Sequence, residues 1–387
     1  MIRNKGVRGL LGCFSIMKYN SKESSIFFEF LRFCIHDDAV EPVSLDSMDW
    51  DALYDFGNRQ AILGVLYRGL MKLSKSNFRP DRLQILKWYS GYSRIEKANK
   101  QNYKDASTLT ELLYNKYGVK GCVLKGQTNA LMYPDPYMRT SGDIDLWTDA
   151  KTLDIIRISR ELDVHGEIGY HHIELSYLKT PVEIHFFPSF MGNVWHEYKL
   201  RRFFNQCKAD QFKRFSVLPD NLGKIYTLTD SFNRVFQMSH LMHHFFFEGI
   251  GLRQMIDYYY LLCRNFTEEE RKETVCVLKE TGMYKFAAGV MYIMKEVLGL
   301  SENSLLMPPN VRIGKLLVSE ILQSGNFGFY DERYSFAGKS VYTQYFIEMY
   351  RNFHFALDFP SETILGRPIS RWWHMFYKAY LRYQLRH

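Results

Sequence analysis

Two aspartates, Asp143 and Asp145, stand two residues apart in RTSGDIDLWTD, residues 139–149, with Ile144 between them and Leu146 and Trp147 behind. The alternation predicts a β-strand, and in a strand residues i and i+2 project from one face. The two carboxylates then lie side by side while Ile144 and Leu146 enter a core. Like charges so placed repel, and aspartate is a poor strand former. A strand end in water tolerates the pair. A divalent cation makes use of it, because Mg²⁺ takes oxygen ligands. A bare D-x-D is a common tripeptide whose ordinary place is a solvated strand end, so its surroundings must decide.

A third carboxylate follows in PVEIHFF, where Glu183 and His185 share one face of a strand and Val182, Ile184 and Phe186 the other. Beside the first strand, Glu183 would join Asp143 and Asp145 around one or two metal ions. Three carboxylates and two metals suit in-line displacement at phosphorus, one ion activating the attacking hydroxyl and the other stabilising the leaving pyrophosphate. Taken alone, Glu183 reads as a solvent-facing residue of an alternating strand.

Several elements must hold these residues. Residues 22–118 read as helices: SSIFFEFLRFCI with a capping serine, DWDALYDFGNRQAILGVLYRGLMKL, and a long helix from Asp81 to Tyr117 closed by Gly118. The pattern then changes. GCVLKG (121–126) is a short strand ending in glycine, QTNALMYPDP a brief helix closed by prolines, and DIDLWT a second strand. DAKTLDIIRISREL is an amphipathic helix capped by Thr148 or Asp149, and HHIELSYL and VEIHFF are strands joined by a Lys179-Thr180-Pro181 turn. From about Leu218 the reading is helical again. The expected organisation is a leader over 1–21, a helical region over 22–118, an α/β core over 119–215 and a helical region over 216–387.

The 387 residues are 46% hydrophobic, enough for a large core, and their ordinary charged fraction argues against disorder. A net charge of +8 is compatible with polyanionic ligands. The six cysteines, Cys13, Cys34, Cys122, Cys207, Cys263 and Cys276, form no C-x-x-C pair; this argues for reduced thiols in the cytoplasm, against a disulfide framework and a zinc ribbon. The apolar run before Cys13 is too short for a signal-peptide core, and no apolar run is long enough for a transmembrane helix.

VLKGQTNALMYPDPYMRTSGDIDLW, then VEIHFF, then HLMHHFFFEGIGLRQMIDYYYLL resembles the uncharacterised nucleotidyltransferase-like family, an outlying branch of the DNA polymerase β nucleotidyltransferase superfamily. Its landmarks are an L-K-G turn, an arginine before D-I-D-L, a V-E-x-H strand and a helical H…H…L-R…D pattern, all present in order across about residues 119–262. The resemblance implies an α+β fold: a small mixed β-sheet nucleotidyltransferase core flanked by N-terminal and C-terminal helical regions. It implies transfer of a nucleoside monophosphate from an NTP to an acceptor hydroxyl of a protein, small molecule or nucleic acid, with Mg²⁺ (or Mn²⁺). Asp143 and Asp145 are then metal ligands and Glu183 a ligand or base. Lys125, Gly126, Gln127 and Arg139 face the nucleotide. The superfamily has Gly-Gly or Gly-Ser at the turn, about ten residues before the aspartates. Here the pair is Gly126-Gln127, and seventeen positions separate Gly126 from Asp143. That departure keeps a second reading open, a nucleotide-binding or regulatory module without transfer activity.

Other residues have two readings each. Arg139 contacts phosphate or pairs with an acidic neighbour. Arg253 and Asp257, i and i+4 on a helix, pair with each other or help bind the acceptor. His172 and His185, with His171, line the cleft. His240, His243 and His244 are structural or substrate-facing, or a zinc site lacking the H-E-x-x-H glutamate. The final SRWWHMFYKAYLRYQLRH carries Arg371, Lys378, Arg382 and Arg386 among Trp372, Trp373, Phe376, Tyr377 and Tyr380. The expectation is that its aromatic face packs on the domain while the cations reach solvent; the alternative is RNA or membrane binding.

Overall fold

The computed structural model describes residues 21–73, 78–334 and 338–386. The expected leader, but for residue 21, lies outside them. Seven strands form one mixed sheet: β1 Gly121–Val123, β2 Ile144–Thr148, β3 Glu167–Ile168, β4 His172–Leu175, β5 Val182–His185, β6 Phe215–Val217 and β7 Lys224–Thr227. Their order is β3-β4-β5-β2-β1-β7-β6. β2 runs antiparallel to β1 and parallel to β5, and β4 is antiparallel to β5. The expected boundary at 215 falls at the start of β6, and β7 pairs with β1, one strand in from the sheet's edge. Both strands are too short to announce themselves by alternation.

The long helix forms over Arg82–Tyr117. The Asp81 side chain caps its first turn by accepting from Gln84 N at 2.8 Å, and Gly118 ends it at φ 66°, a left-handed conformation glycine adopts without a Cβ clash. The preceding apolar segment is two helices, Trp50–Arg59 and Leu63–Lys72, interrupted where Ala61 takes φ 55°. The Thr152–Leu162 helix is entered from Lys151. Thr148 closes β2, and Asp149 Oδ1 accepts from Lys120 N at 2.9 Å, so neither residue serves as the cap.

The sheet's two faces differ in chemistry. Val123, Ile144, Leu146, Ile173, Val182 and Ile184 point to one side and bury against Tyr103, Leu109 and Leu113 of the long helix and Ile155 and Ile156 of the next. Cys122, Leu124 and Trp147 point to the other side, into the core made with the C-terminal helices. Trp147 is 1% exposed and stacks on Phe232, ring centroids 5.6 Å apart. Asp145 precedes Trp147 on that same face, which is where polar chemistry meets helical cover.

The last helix, Gly366–Gln384, corrects an expectation. Of the expected aromatics, Tyr377 packs on the domain and Trp373 Nε1 donates to Tyr170 Oη at 3.0 Å, beside His374 and Leu381, whereas Trp372, Phe376 and Tyr380 are exposed.

Candidate active site on the sheet

Parallel pairing of β2 with β5 sets Asp145 opposite Glu183, so both carboxylates leave the same face on neighbouring strands. Antiparallel pairing of β4 with β5 adds His172 opposite His185 and Glu174 opposite Glu183. Asp143 stands one residue before β2, half buried. One face thus gathers acids and imidazoles from three adjacent strands, each held by a buried apolar neighbour turned the other way.

The contacts are close. His185 Nε2 lies 3.0 Å from Asp145 Oδ1 and 3.6 Å from Glu183 Oε2. His172 reaches Glu183 Oε2 at 3.4 Å and Glu174 Oε1 at 3.5 Å through its two ring nitrogens. Lys125 points into the same place, Nζ 3.1 Å from Asp145 Oδ2. Burial resists ionisation of Asp145, but the ammonium of Lys125 and the hydrogen bond from His185 outweigh it and hold the carboxyl below its ordinary range. Burial likewise opposes the charge on Lys125, and the carboxylates of Asp145, Asp143 and Glu183 overcome it, so Lys125 stays protonated. For His185, hydrogen bonds to Asp145 and Glu183 prevail over burial and push the pKa up to about 9.

The donor set fits a divalent cation. Asp145 and Glu183, with His185 when its ring is neutral, offer ligand atoms within 4.8 Å of one another, and Lys125 Nζ stands 3.1 Å from Asp145 Oδ2. Overlapping groups, His171–His172–His185 and His172–Glu174–Glu183, extend the cluster along β4. Among the described residues, the groups able to surround a metal include none of His240, His243 and His244. His244 Nδ1 instead meets Glu248 Oε2 at 3.0 Å. His240 lines the cleft, its pKa driven well down by burial and by His244 and Lys125.

A narrow cleft opens beside the carboxylates. Lys125, Gly126, Asp143 and Asp145 form its sheet side, and Gln237, His240, Arg253 and Phe327 face them from the helices. Gly126 takes φ 68°, ψ −97°, a backbone conformation for glycine, at the N-cap of the short Gln127–Ala130 helix. Although seventeen positions separate Gly126 from Asp143, the loop folds back: a Cβ on Gly126 would sit 3.6 Å from the Asp143 carbonyl. Gln127 serves that closure. Buried, its side-chain amide donates to Asp143 O at 3.3 Å, so the residue expected at the nucleotide braces the loop that carries Asp143.

Arg139 is also a brace. Its guanidinium donates to both oxygens of Asp257, at 2.7 and 2.8 Å, inside the core. Tyr133 donates to the same carboxylate at 2.7 Å, and a chain from Gln237 through Asn129 ends on it. Asp257 therefore pairs with Arg139 and not with Arg253. Arg253, 7% exposed, donates to Thr140 O at 3.0 Å and stands over the Phe327 ring. Burial, with Arg139 near, brings its pKa down to about 10, and it has no carboxylate within 4.0 Å among the described residues. Among the described residues it is a cation of the cleft without an ion-pair partner. Asn129, Tyr133, Gln237 and Phe327 had no signal in the sequence, since single polar or aromatic residues on helices are commonplace.

The sheet with helical flanks thus carries paired carboxylates on neighbouring strands and a cation-lined cleft beside them. Residues 46–299 match the model of an uncharacterised nucleotidyltransferase family, and the chain belongs to that family. No curated protein and no solved structure matches the chain.

Proposed function

We propose that this transferase moves a nucleoside monophosphate from an NTP to an acceptor hydroxyl, with pyrophosphate leaving. The observation that carries the reading is the Asp145–Glu183 pairing across β2 and β5, with Lys125 Nζ 3.1 Å from Asp145 in the lining of a cleft that also holds Arg253. Two carboxylates on one sheet face and two cations facing them suit a metal-bound triphosphate better than a neutral ligand.

Asp143, Asp145 and Glu183 would hold Mg²⁺ or Mn²⁺, which when bound neutralises charge building on the phosphates. Lys125 and Arg253 meet phosphate oxygens and hold the pyrophosphate as the bond from α-phosphorus to its bridging oxygen breaks. The acceptor oxygen forms the new bond to α-phosphorus, and its proton passes to a carboxylate at the site, with Glu183 assigned that role. The Asp257 network keeps the cleft wall rigid, so that Arg253 is presented without having to be ordered on binding.

Incubation with each labelled NTP, Mg²⁺ or Mn²⁺ and cell extract, beside an Asp143→Ala/Asp145→Ala control, tests the reading. Label transferred by the protein and absent with the control supports it. Nucleotide-dependent thermal stabilisation without transfer makes the protein a binding module, the alternative favoured by Gln127 in place of a triphosphate-binding serine.

A further inference from the structure

The Gly366–Gln384 helix presents three different surfaces. At 3.6 residues per turn its side chains fall on separate arcs. One arc meets the protein: His374 stacks on Tyr170 with ring centroids 3.5 Å apart, Tyr377 approaches the same ring at 5.5 Å, and Leu381 is 2% exposed in the core beneath the sheet. A second arc carries Arg371, Lys378, Arg382 and Arg386. The third carries Ile369, Trp372, Phe376, Tyr380 and Tyr383, and it faces solvent, with Trp372, Phe376 and Tyr383 61%, 63% and 61% exposed.

Single exposed apolar residues are normal on a protein surface, but five on one helical stripe are a patch. The charge beside it is one-sided: from Ile364 to His387 the chain has five Lys or Arg and no Asp or Glu. An aromatic stripe flanked by cations is the pattern of a helix lying in a bilayer interface, where rings enter the boundary between headgroups and acyl chains and arginines reach lipid phosphates. No helix among the described residues is long and apolar enough to cross a membrane, so the geometry is that of a helix on the surface.

We propose that this helix docks the protein on an anionic lipid bilayer, Trp372, Phe376, Tyr380 and Tyr383 entering the interface and Arg371, Lys378, Arg382 and Arg386 meeting lipid phosphates. His374, Tyr377 and Leu381 tie the helix to the domain, so the surface is preformed and needs no folding on binding.

Flotation of the full chain with phosphatidylcholine vesicles, with or without phosphatidylglycerol, tests this. Co-flotation with the anionic vesicles, a blue shift of tryptophan emission and weakening by salt are expected. Trp372→Ser with Phe376→Ser should lower partitioning at least about tenfold, since each ring buried contributes on the scale of a large apolar side chain. Arg371→Gln and Arg382→Gln should each lower it about fivefold. The proposal is overturned by absence from the anionic fraction, by undiminished flotation of the serine variant, or by RNA binding that competes the protein off vesicles. A wild-type dimer that the serine variant dissolves in the absence of lipid also overturns it, making the stripe a contact between copies.

Discussion

Arg139 and Asp257, 118 positions apart in the chain, meet as a buried bidentate ion pair that clamps the loop before β2 to the Leu252–Leu262 helix. Removing one partner leaves a buried charge uncompensated, which costs about 3–5 kcal/mol. Arg139→Ala should therefore lower unfolding free energy by that amount in denaturant titrations without nucleotide. An arginine serving phosphate alone would leave the stability of the nucleotide-free protein unchanged.

His185 predicts a pH dependence. Its folded pKa of about 9 lies above the ordinary value of about 6.5. The folded state binds the proton more tightly, so its contribution to stability is full below about pH 6.5 and is lost as pH rises through 9. Thermal melts of the metal-free protein should fall across that window, and His185→Gln should flatten the fall. The imidazolium occupies the carboxylates a cation would use. Mn²⁺ affinity, followed by calorimetry, should thus rise with pH over the same range, with proton release; an affinity independent of pH would contradict this arrangement.

Asp145→Asn removes the most buried carboxylate of the metal set. Outer-shell changes at metal sites typically cost 10- to 100-fold, so loss of a ligand should lower transfer at least about 100-fold. Asp145→Asn also leaves Lys125 without its nearest anion, 3.1 Å away. Metal-induced thermal stabilisation should vanish with it; persistence of that stabilisation would place the ion elsewhere.

Lys125→Ala should act on the two ligands in opposite directions. Losing a charged hydrogen bond costs about 1.5–3 kcal/mol, so nucleotide affinity should fall roughly 10- to 150-fold. The same change removes a positive charge beside Asp145, so divalent-metal affinity should hold or rise. Parallel titrations with nucleotide and with Mn²⁺ alone separate these effects, and equal losses of both would show a collapsed site.

Gly126→Ala tests the turn. The neighbouring space admits a methyl group, the nearest atom being the Asp143 carbonyl at 3.6 Å, but φ 68° with ψ −97° strains any L-residue. A cost of about 1–3 kcal/mol is expected in denaturant titrations. Unchanged stability would mean that the turn relaxes readily.

Local information in the sequence determined a good part of this protein. The capped helix from Asp81 to Gly118, the alternation that turns Ile144 and Leu146 away from Asp145, and the shared face of Glu183 and His185 follow from backbone periodicity and cap chemistry. These depend only on neighbours along the chain. Tertiary structure decided what periodicity does not encode, namely which face meets which. The Asp145–Glu183 register, the insertion of β7 beside β1 and the pairing of Asp257 with Arg139 instead of Arg253 all join distant segments. The last helix shows the same division. Its amphipathicity was legible, but only the packed arc of His374, Tyr377 and Leu381 determined that Trp372 and Phe376 face solvent, because a hydrophobic pattern states which residues avoid water and not what covers them.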